Sequence, residues 1–313
     1  MSEEIEAKII GVKLDTYILH PKNNLVKGNI LATLRGNVKR YNKLIVGDEV
    51  IVKKSYDKYM IEKILPRKNF LVRPPVSNID KLVIMLSIDC PSPDYILLDK
   101  ELVLCDAKNI VPIICVNKID LANKNELLKN ELIYIAKIYE TLGIKVIYTS
   151  ALDTYGIDEL KKELIGKTAA FSGNSGVGKS SVVQKIINSC ENLYKDEYEK
   201  ELEIGAISSK TNKGRHTTKH IEIYEFANDS YILDTPGFSS YELYDIEYTK
   251  LKDYYSEFRF CNCMYEDCMH VNEGESVCDV KVKVKNGDID KGRYERYLYI
   301  YSKLKEVYDK KYR

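Results

Sequence analysis

Several stretches hold residue types at spacings that can do chemistry. Gly173-Asn174-Ser175-Gly176-Val177-Gly178-Lys179-Ser180, continued by Ser181, fits G-x-x-x-x-G-K-[ST]. Its glycines let backbone N–H groups wrap phosphates, and a helix opening there adds positive potential. Lys179 is expected to reach the β- and γ-phosphates, and the Ser180 hydroxyl to coordinate Mg²⁺. Asp234-Thr235-Pro236-Gly237 closes the apolar run SYILD. There Asp234 is placed to serve Mg²⁺, and the Gly237 N–H to sense the γ-phosphate. Asn117-Lys118-Ile119-Asp120 fits N-K-x-D. The Asp120 carboxylate can accept both N–H groups of the guanine edge, which adenine does not offer. The Asn117 amide can contact the base and steady the loop, and the Lys118 stem can lie along the purine face. Thr149-Ser150-Ala151 ends the next strand-like run, and the backbone of Ser150 and Ala151 is placed to meet guanine O6.

The segment 213–220, KGRHTTKH, lies between the phosphate-loop sequence and Asp234, where a switch segment belongs. Thr218 is the expected switch ligand of Mg²⁺, with Thr217 as its alternative. Phe238 stands where many GTPases place a glutamine that orients water. His216 is therefore the candidate for positioning the attacking water.

A further chemistry is metal binding. Eight cysteines are present, four of them within 261–278 together with His270. Cys263, Cys268, His270 and Cys278 give C-x4-C-x-H-x7-C, a set that suits tetrahedral zinc. Cys261 is a spare thiol and an alternative to Cys263. The remaining cysteines stand singly in apolar contexts, as buried thiols do in a reducing compartment.

These groups need elements to hold them. Residues 1–65 alternate short apolar runs (7–19, 25–36, 44–54, 59–65) with turn signals, which predicts a small β-barrel of the oligonucleotide-binding kind. Arg73-Pro74-Pro75 marks a linker. From 79 onward, apolar strand-like runs (79–88, 111–117, 144–150, 167–173) alternate with helical patterns (95–109, 124–142, 156–165, 179–189). Two more strands are expected at 220–226 and 230–237. That order predicts βαβ units around a parallel sheet. Each nucleotide motif sits at a strand end, where open α/β sheets bind ligands. The chain closes with the cysteine cluster and a helical stretch from about 288. The expected organisation is a barrel over 1–73, a GTPase domain over 74–248 and a metal-bearing helical domain over 249–313.

The chain has 313 residues and a net charge of +1, with an uneven distribution. Residues 1–73 carry 15 Lys/Arg against 8 Asp/Glu, and residues 281–313 carry 11 against 5, leaving the middle at −12. Two basic ends around an acidic centre suit a polyanionic partner. No apolar run reaches a membrane span, and the acidic N-terminus lacks a signal peptide's apolar core, so a cytoplasmic protein with no membrane partner is expected.

With N-K-x-D, T-S-A, phosphate loop, G-R-H-T-T and D-T-P-G-F in that order, the chain resembles the RsgA family of circularly permuted GTPases. ILPRKNFLVRPPVSNID (64–80), SGVGKSS, GRHTT, DTPGF and the cysteine cluster carry the likeness, which covers nearly the whole chain. The resemblance implies an N-terminal oligonucleotide-binding barrel, a permuted P-loop GTPase domain and a C-terminal zinc-binding helical domain. It implies GTP hydrolysis stimulated by the 30S ribosomal subunit, a role late in that subunit's maturation, and contact with 16S rRNA by a monomer. It further implies GTP/GDP, Mg²⁺ and one structural Zn²⁺ as ligands. The family usually has five residues between the histidine and the last cysteine, where this chain has seven. The alternatives are a large-subunit assembly GTPase, a P-loop kinase or ATPase, and an RNA-binding protein with a vestigial nucleotide site.

Overall fold

Five N-terminal strands, Glu4–Lys13 (β1), Thr16–Pro21 (β2), Ile30–Leu34 (β3), Glu49–Ser55 (β4) and Lys58–Ile64 (β5), form a closed barrel in the order β1-β2-β3-β5-β4. Only the β3–β5 pair is parallel. Alternation explains its core: Ile5, Ala7 and Ile9 of β1 turn inward with Ile30 and Ala32 of β3, Val50 and Val52 of β4, and Ile61 of β5. The run 7–19, expected as one strand, is a hairpin whose register closes at Lys13 and Thr16. The computed structural model describes residues 4–13, 15–22, 26, 28–35, 43–56, 58–190, 222–234, 243 and 245–311.

Beyond a two-stranded ladder of Phe70–Leu71 (β6) and Val76–Ser77 (β7), the chain builds a six-stranded sheet. Its strands are Lys81–Ser87 (β8), Val111–Asn117 (β9), Lys145–Thr149 (β10), Thr168–Ser172 (β11), Glu222–Ala227 (β12) and Ser230–Asp234 (β13). The order is β10-β9-β8-β11-β13-β12, with β10 parallel to β9, β11 parallel to β13, and β12 antiparallel to β13. The helices are Tyr95–Lys108 (α1), Glu126–Ile135 (α2), Ile157–Leu164 (α3), Lys179–Asn188 (α4), Asp279–Asn286 (α5) and Lys291–Lys311 (α6). The single helix expected over 124–142 is three pieces: a 3-10 turn ending at Lys124, α2, and a π-helical turn from Ala136 to Glu140. Asn125 separates the first two because its side chain caps α2 by accepting from Leu127 N.

The described residues pack as two compact units. One takes those within 1–83, 150–172 and 178–238; the other takes those within 84–149, 173–177 and 239–313. In the first unit the barrel is tied to the β11–β13 ladder. Lys8 Nζ donates to Thr168 Oγ1 at 2.7 Å and lies 4.8 Å from the centre of the Tyr231 ring. Thr168 N donates to Asp80 Oδ2 at 2.8 Å. Just before β4, the buried Asp48 accepts from Arg67 Nε (2.6 Å) and Ser77 Oγ (2.6 Å). In the second unit α1 is buried along most of its length, through Leu97, Leu98, Leu102, Val103, Leu104 and Cys105. No helix among the described residues is long and apolar enough to cross a membrane.

Candidate nucleotide site and metal cluster

Within the second unit, the end of β9 meets the first half of the phosphate-loop sequence. Asn117 is buried; its Nδ2 donates to Val177 O at 2.9 Å and its Oδ1 accepts from Thr149 Oγ1 at 3.1 Å. Lys118 takes a left-handed backbone, φ 66°, which turns the chain off the strand into the 3-10 turn that carries Asp120. Its Nζ donates to Gly176 O at 2.7 Å and also to Cys90 O. Two side chains of the N-K-x-D sequence thus grip two consecutive carbonyls of the Gly173–Val177 turn. Asp120, in the 3-10 turn, is half-buried.

The glycines of this turn answer to geometry. Gly173 has φ 125°, and a Cβ there would stand 2.3 Å from Met85 O, so only glycine fits against β8. Gly176 and Gly178 also have positive φ. From Gly178 the chain enters α4, whose first turn forms with Val182 N donating to Gly178 O at 3.0 Å. Val182, Val183, Ile186 and Ile187 bury one face of α4 in the first unit, leaving Lys179 half-buried and Ser180 and Ser181 exposed at its start. Also in the first unit, Ser150 N donates to Tyr155 O at 3.1 Å, which fixes the backbone of Ser150 and Ala151 in a turn. Asp234 ends β13. His216, Thr217, Thr218, Gly237 and Phe238 lie outside the described residues.

The cysteine cluster is assembled. Cys263, Cys268, His270 and Cys278 offer four ligand atoms within 4.8 Å of one another. His270 Nδ1 is 3.6, 3.3 and 3.5 Å from the sulfurs of Cys263, Cys268 and Cys278. Tetrahedral zinc with ordinary Zn–S and Zn–N bonds sets S···N edges of about 3.6 Å, so the set fits that ion. Cys261 points elsewhere, its Sγ 3.5 Å from Glu257 O. Burial pushes the Cys268 thiol up to about 12 and pulls His270 down to about 4. Without a metal Cys268 and His270 are therefore neutral, and binding one displaces the Cys268 thiol proton.

The ligand loop is held from behind. His270 has φ 59°, and Glu273 spans it by accepting from Met269 N and Val271 N, each at 2.8 Å. Tyr294 and Tyr297 of α6 donate their hydroxyls to His270 O (2.6 Å) and Met269 O (2.7 Å). The seven-residue spacer folds into a turn in which Cys278 N donates to Gly274 O at 3.0 Å, so its extra length still returns Cys278 to the cluster.

A family model described as RsgA GTPase matches residues 64–244, more than half of the chain. The chain belongs to the RsgA GTPase family. It is therefore a GTP hydrolase, and its motif order is that of the circularly permuted members. Membership implies GTP and GDP as ligands, with Mg²⁺. Two relatives, each named small ribosomal subunit biogenesis GTPase RsgA, give the scale of the likeness. The protein of Caldanaerobacter subterraneus subsp. tengcongensis is 38% identical over 292 residues, covering 92% of both chains. That of Ruminiclostridium cellulolyticum is 39% identical over 249 residues, covering 79% of this chain and 76% of its own. Among solved structures, YjeQ from Thermotoga maritima superposes with a TM-score of 0.79 at 31% identity, covering 96% of this chain and 99% of its own. YloQ, described as a circularly permuted GTPase, gives 0.79 at 30% identity, covering 97% and 96%.

Some residues that shape the site escaped the sequence reading. Asp94, Asp99, Glu257, Arg293 and Arg296 sit in segments that read as ordinary helix or charged surface, and Glu273 is a non-ligand within the cysteine cluster. One signal was available: a lone Asp immediately before the helical run at 95 is an N-cap signature.

Proposed function

We propose that this GTPase is a nucleotide-driven switch in the maturation of the 30S ribosomal subunit, docking on 16S rRNA through basic N- and C-terminal domains. In this reading the barrel spans 1–73, the permuted GTPase domain 74–248 and a zinc-binding helical domain 249–313. Asn117, Lys118 and Asp120 read guanine with the backbone of Ser150 and Ala151. Gly173 to Ser181 hold the phosphates. Ser180, Thr218 and Asp234 serve Mg²⁺, Gly237 senses the γ-phosphate, and His216 positions water. Cys263, Cys268, His270 and Cys278 hold one structural zinc. The protein acts in the cytoplasm as a monomer.

The observation that carries the nucleotide part is the grip of Asn117 and Lys118 on Val177 O and Gly176 O. It joins the base-reading sequence to the phosphate-loop sequence although the chain order is reversed. The small-subunit part is supported by the relatives' names and by the +7 excess of charge over 1–73. The test is GTP turnover with and without purified 30S or 50S subunits. Several-fold stimulation by 30S alone is expected, weakening as salt rises. An equal rate in all three conditions, or stimulation by 50S, rejects the assignment.

A further inference from the structure

We propose that Asp94 is a positioning residue for the phosphate loop, bracing Asn174 from outside the nucleotide motifs. The inference rests on 173–181 being the phosphate loop. Asp94 stands at the junction between the loop that leaves β8 and the first turn of α1. Its Oδ1 accepts from Leu97 N at 2.9 Å, which caps the helix. Its Oδ2 accepts from Asn174 Nδ2 at 3.2 Å. One carboxylate therefore ties the start of a buried helix to the second residue of the loop.

The other fixed points show what this contact adds. Gly173 is pressed against Met85 O, Gly176 O is held by Lys118, and Val177 O by Asn117. The Cys90 carbonyl, on the same loop as Asp94, takes the other bond of Lys118 Nζ. The segment after β8 thus supports the turn twice, through Asp94 at its entry and through Cys90 and Lys118 near its exit. Carboxylates are poor neighbours for phosphate, so Asp94 does not serve by touching the ligand. It serves by ordering Asn174 before the ligand arrives, so that binding does not bear that ordering cost. A carboxylate that accepts two N–H donors is matched to such a task, because charge-assisted bonds are the stronger ones.

The experiment is a titration of the full-length protein with GDP, using D94S, N174A, the double variant D94S/N174A, D94N and K179A. Serine keeps the cap on Leu97 N but is too short to reach Asn174 as well. Asp94→Asn retains both contacts once the Asn174 amide turns over. Loss of one charge-assisted bond from a pre-ordered loop corresponds to about a tenfold weaker affinity. D94S and N174A are each expected to show that loss, the double variant no more than either single, and D94N, which keeps both contacts without the charge, a smaller loss than D94S. The GDP-over-ADP preference is expected to stay unchanged, which a role in base reading would not allow. If D94S loses its fold, N174A carries the same comparison. Affinity within twofold of wild type for N174A, or additive losses in the double variant, overturns the brace while K179A still weakens binding. Unchanged GDP binding by K179A instead overturns the phosphate-loop assignment, and the brace with it.

Discussion

Arg293 Nη1 lies 2.6 Å from Asp99 Oδ1, across 194 positions of sequence, with both side chains almost entirely removed from solvent. Arg296 Nε takes the other carboxylate oxygen, also at 2.6 Å. Tyr139 donates its hydroxyl to Asp99 Oδ1 at 3.1 Å, and Arg293 pairs with Glu257 through Nε. The Arg293 guanidinium lies 4.6 Å from the Tyr255 ring centre, and that of Arg296 lies 5.1 Å from the ring centre of Tyr95. Burial works against the charge on Arg293, and the carboxylates of Asp99 and Glu257 more than restore it. Helix α1, which Asp94 caps, is therefore fastened to α6, which carries the two tyrosines behind His270.

Removing one partner of such a network leaves buried charge uncompensated, at a cost of about 3–5 kcal/mol. Asp99→Ala is expected to reach that range because it removes the buried carboxylate that both guanidinium groups share. The variant should melt at a lower temperature. It should also lose hydrogen-exchange protection in 291–311 while the barrel strands keep theirs. Unchanged protection of α6 would show that apolar packing alone fastens the helix.

What was legible in the sequence is chemistry fixed by short backbone patterns. The phosphate loop, N-K-x-D and the cysteine spacing each encode a local geometry, so their residues could be named without a partner in view. The barrel was legible too, because alternation over 1–65 reports a half-buried strand directly. The Asp99 network was not, because a carboxylate inside an apolar helix looks the same whether it faces solvent or a distant arginine. Charge counting does not tell a free cation from a buried one, for the same reason. Arg293 and Arg296, counted in the basic C-terminal end, are largely buried, and Lys281 and Lys283 donate to Val271 O and Phe260 O. Helix α5 was missed because it has no apolar stripe; Val280 is its one buried residue. The choice between Cys261 and Cys263 was open in sequence, since either spacing is acceptable, and only the fold turns Cys263 toward His270.

The metal cluster predicts one zinc per chain by elemental analysis of protein purified without chelator. Cys268→Ser should abolish the stoichiometry and destabilise residues 263–278. Glu273→Gln should retain zinc but bind it more weakly, since the single amide oxygen replaces the two oxygens that accept from Met269 N and Val271 N. Substituting Co²⁺ gives an absorption spectrum that reports a Cys₃His tetrahedron independently of activity. A spectrum lacking thiolate charge-transfer bands would reject the ligand set.

Asp120→Asn should exchange the preferred base. An amide cannot accept two N–H groups as the carboxylate does, but it can pair with the carbonyl that xanthine presents there. The variant is expected to lose GDP affinity by about a hundredfold, the size of two hydrogen bonds to a charged group, and to gain XDP affinity. Competition titration with GDP, XDP and ADP reads this directly. Undiminished GDP selectivity would remove Asp120 from base recognition.

Lys8 provides a pH-dependent test of how the barrel is fastened to the β11–β13 ladder. Burial lowers its ammonium pKa from 10.5 to about 8, a loss that the charge of Glu49 only partly offsets. The unfolded chain therefore binds more protons than the folded one between pH 8 and 10.5. Stability rises with pH wherever the unfolded state holds the extra proton, so this group's contribution should increase across that window and level off on either side. Because Nζ donates to Thr168 Oγ1 whether charged or neutral, deprotonation relieves the burial cost without breaking the bond. Lys8→Met removes both the bond and the titration. The unfolding free energy of wild type minus that of the variant, measured in urea from pH 7 to 10.5, should climb above pH 8. A flat difference would mean that the ammonium is solvated in the folded state and that the barrel is held by its apolar contacts alone.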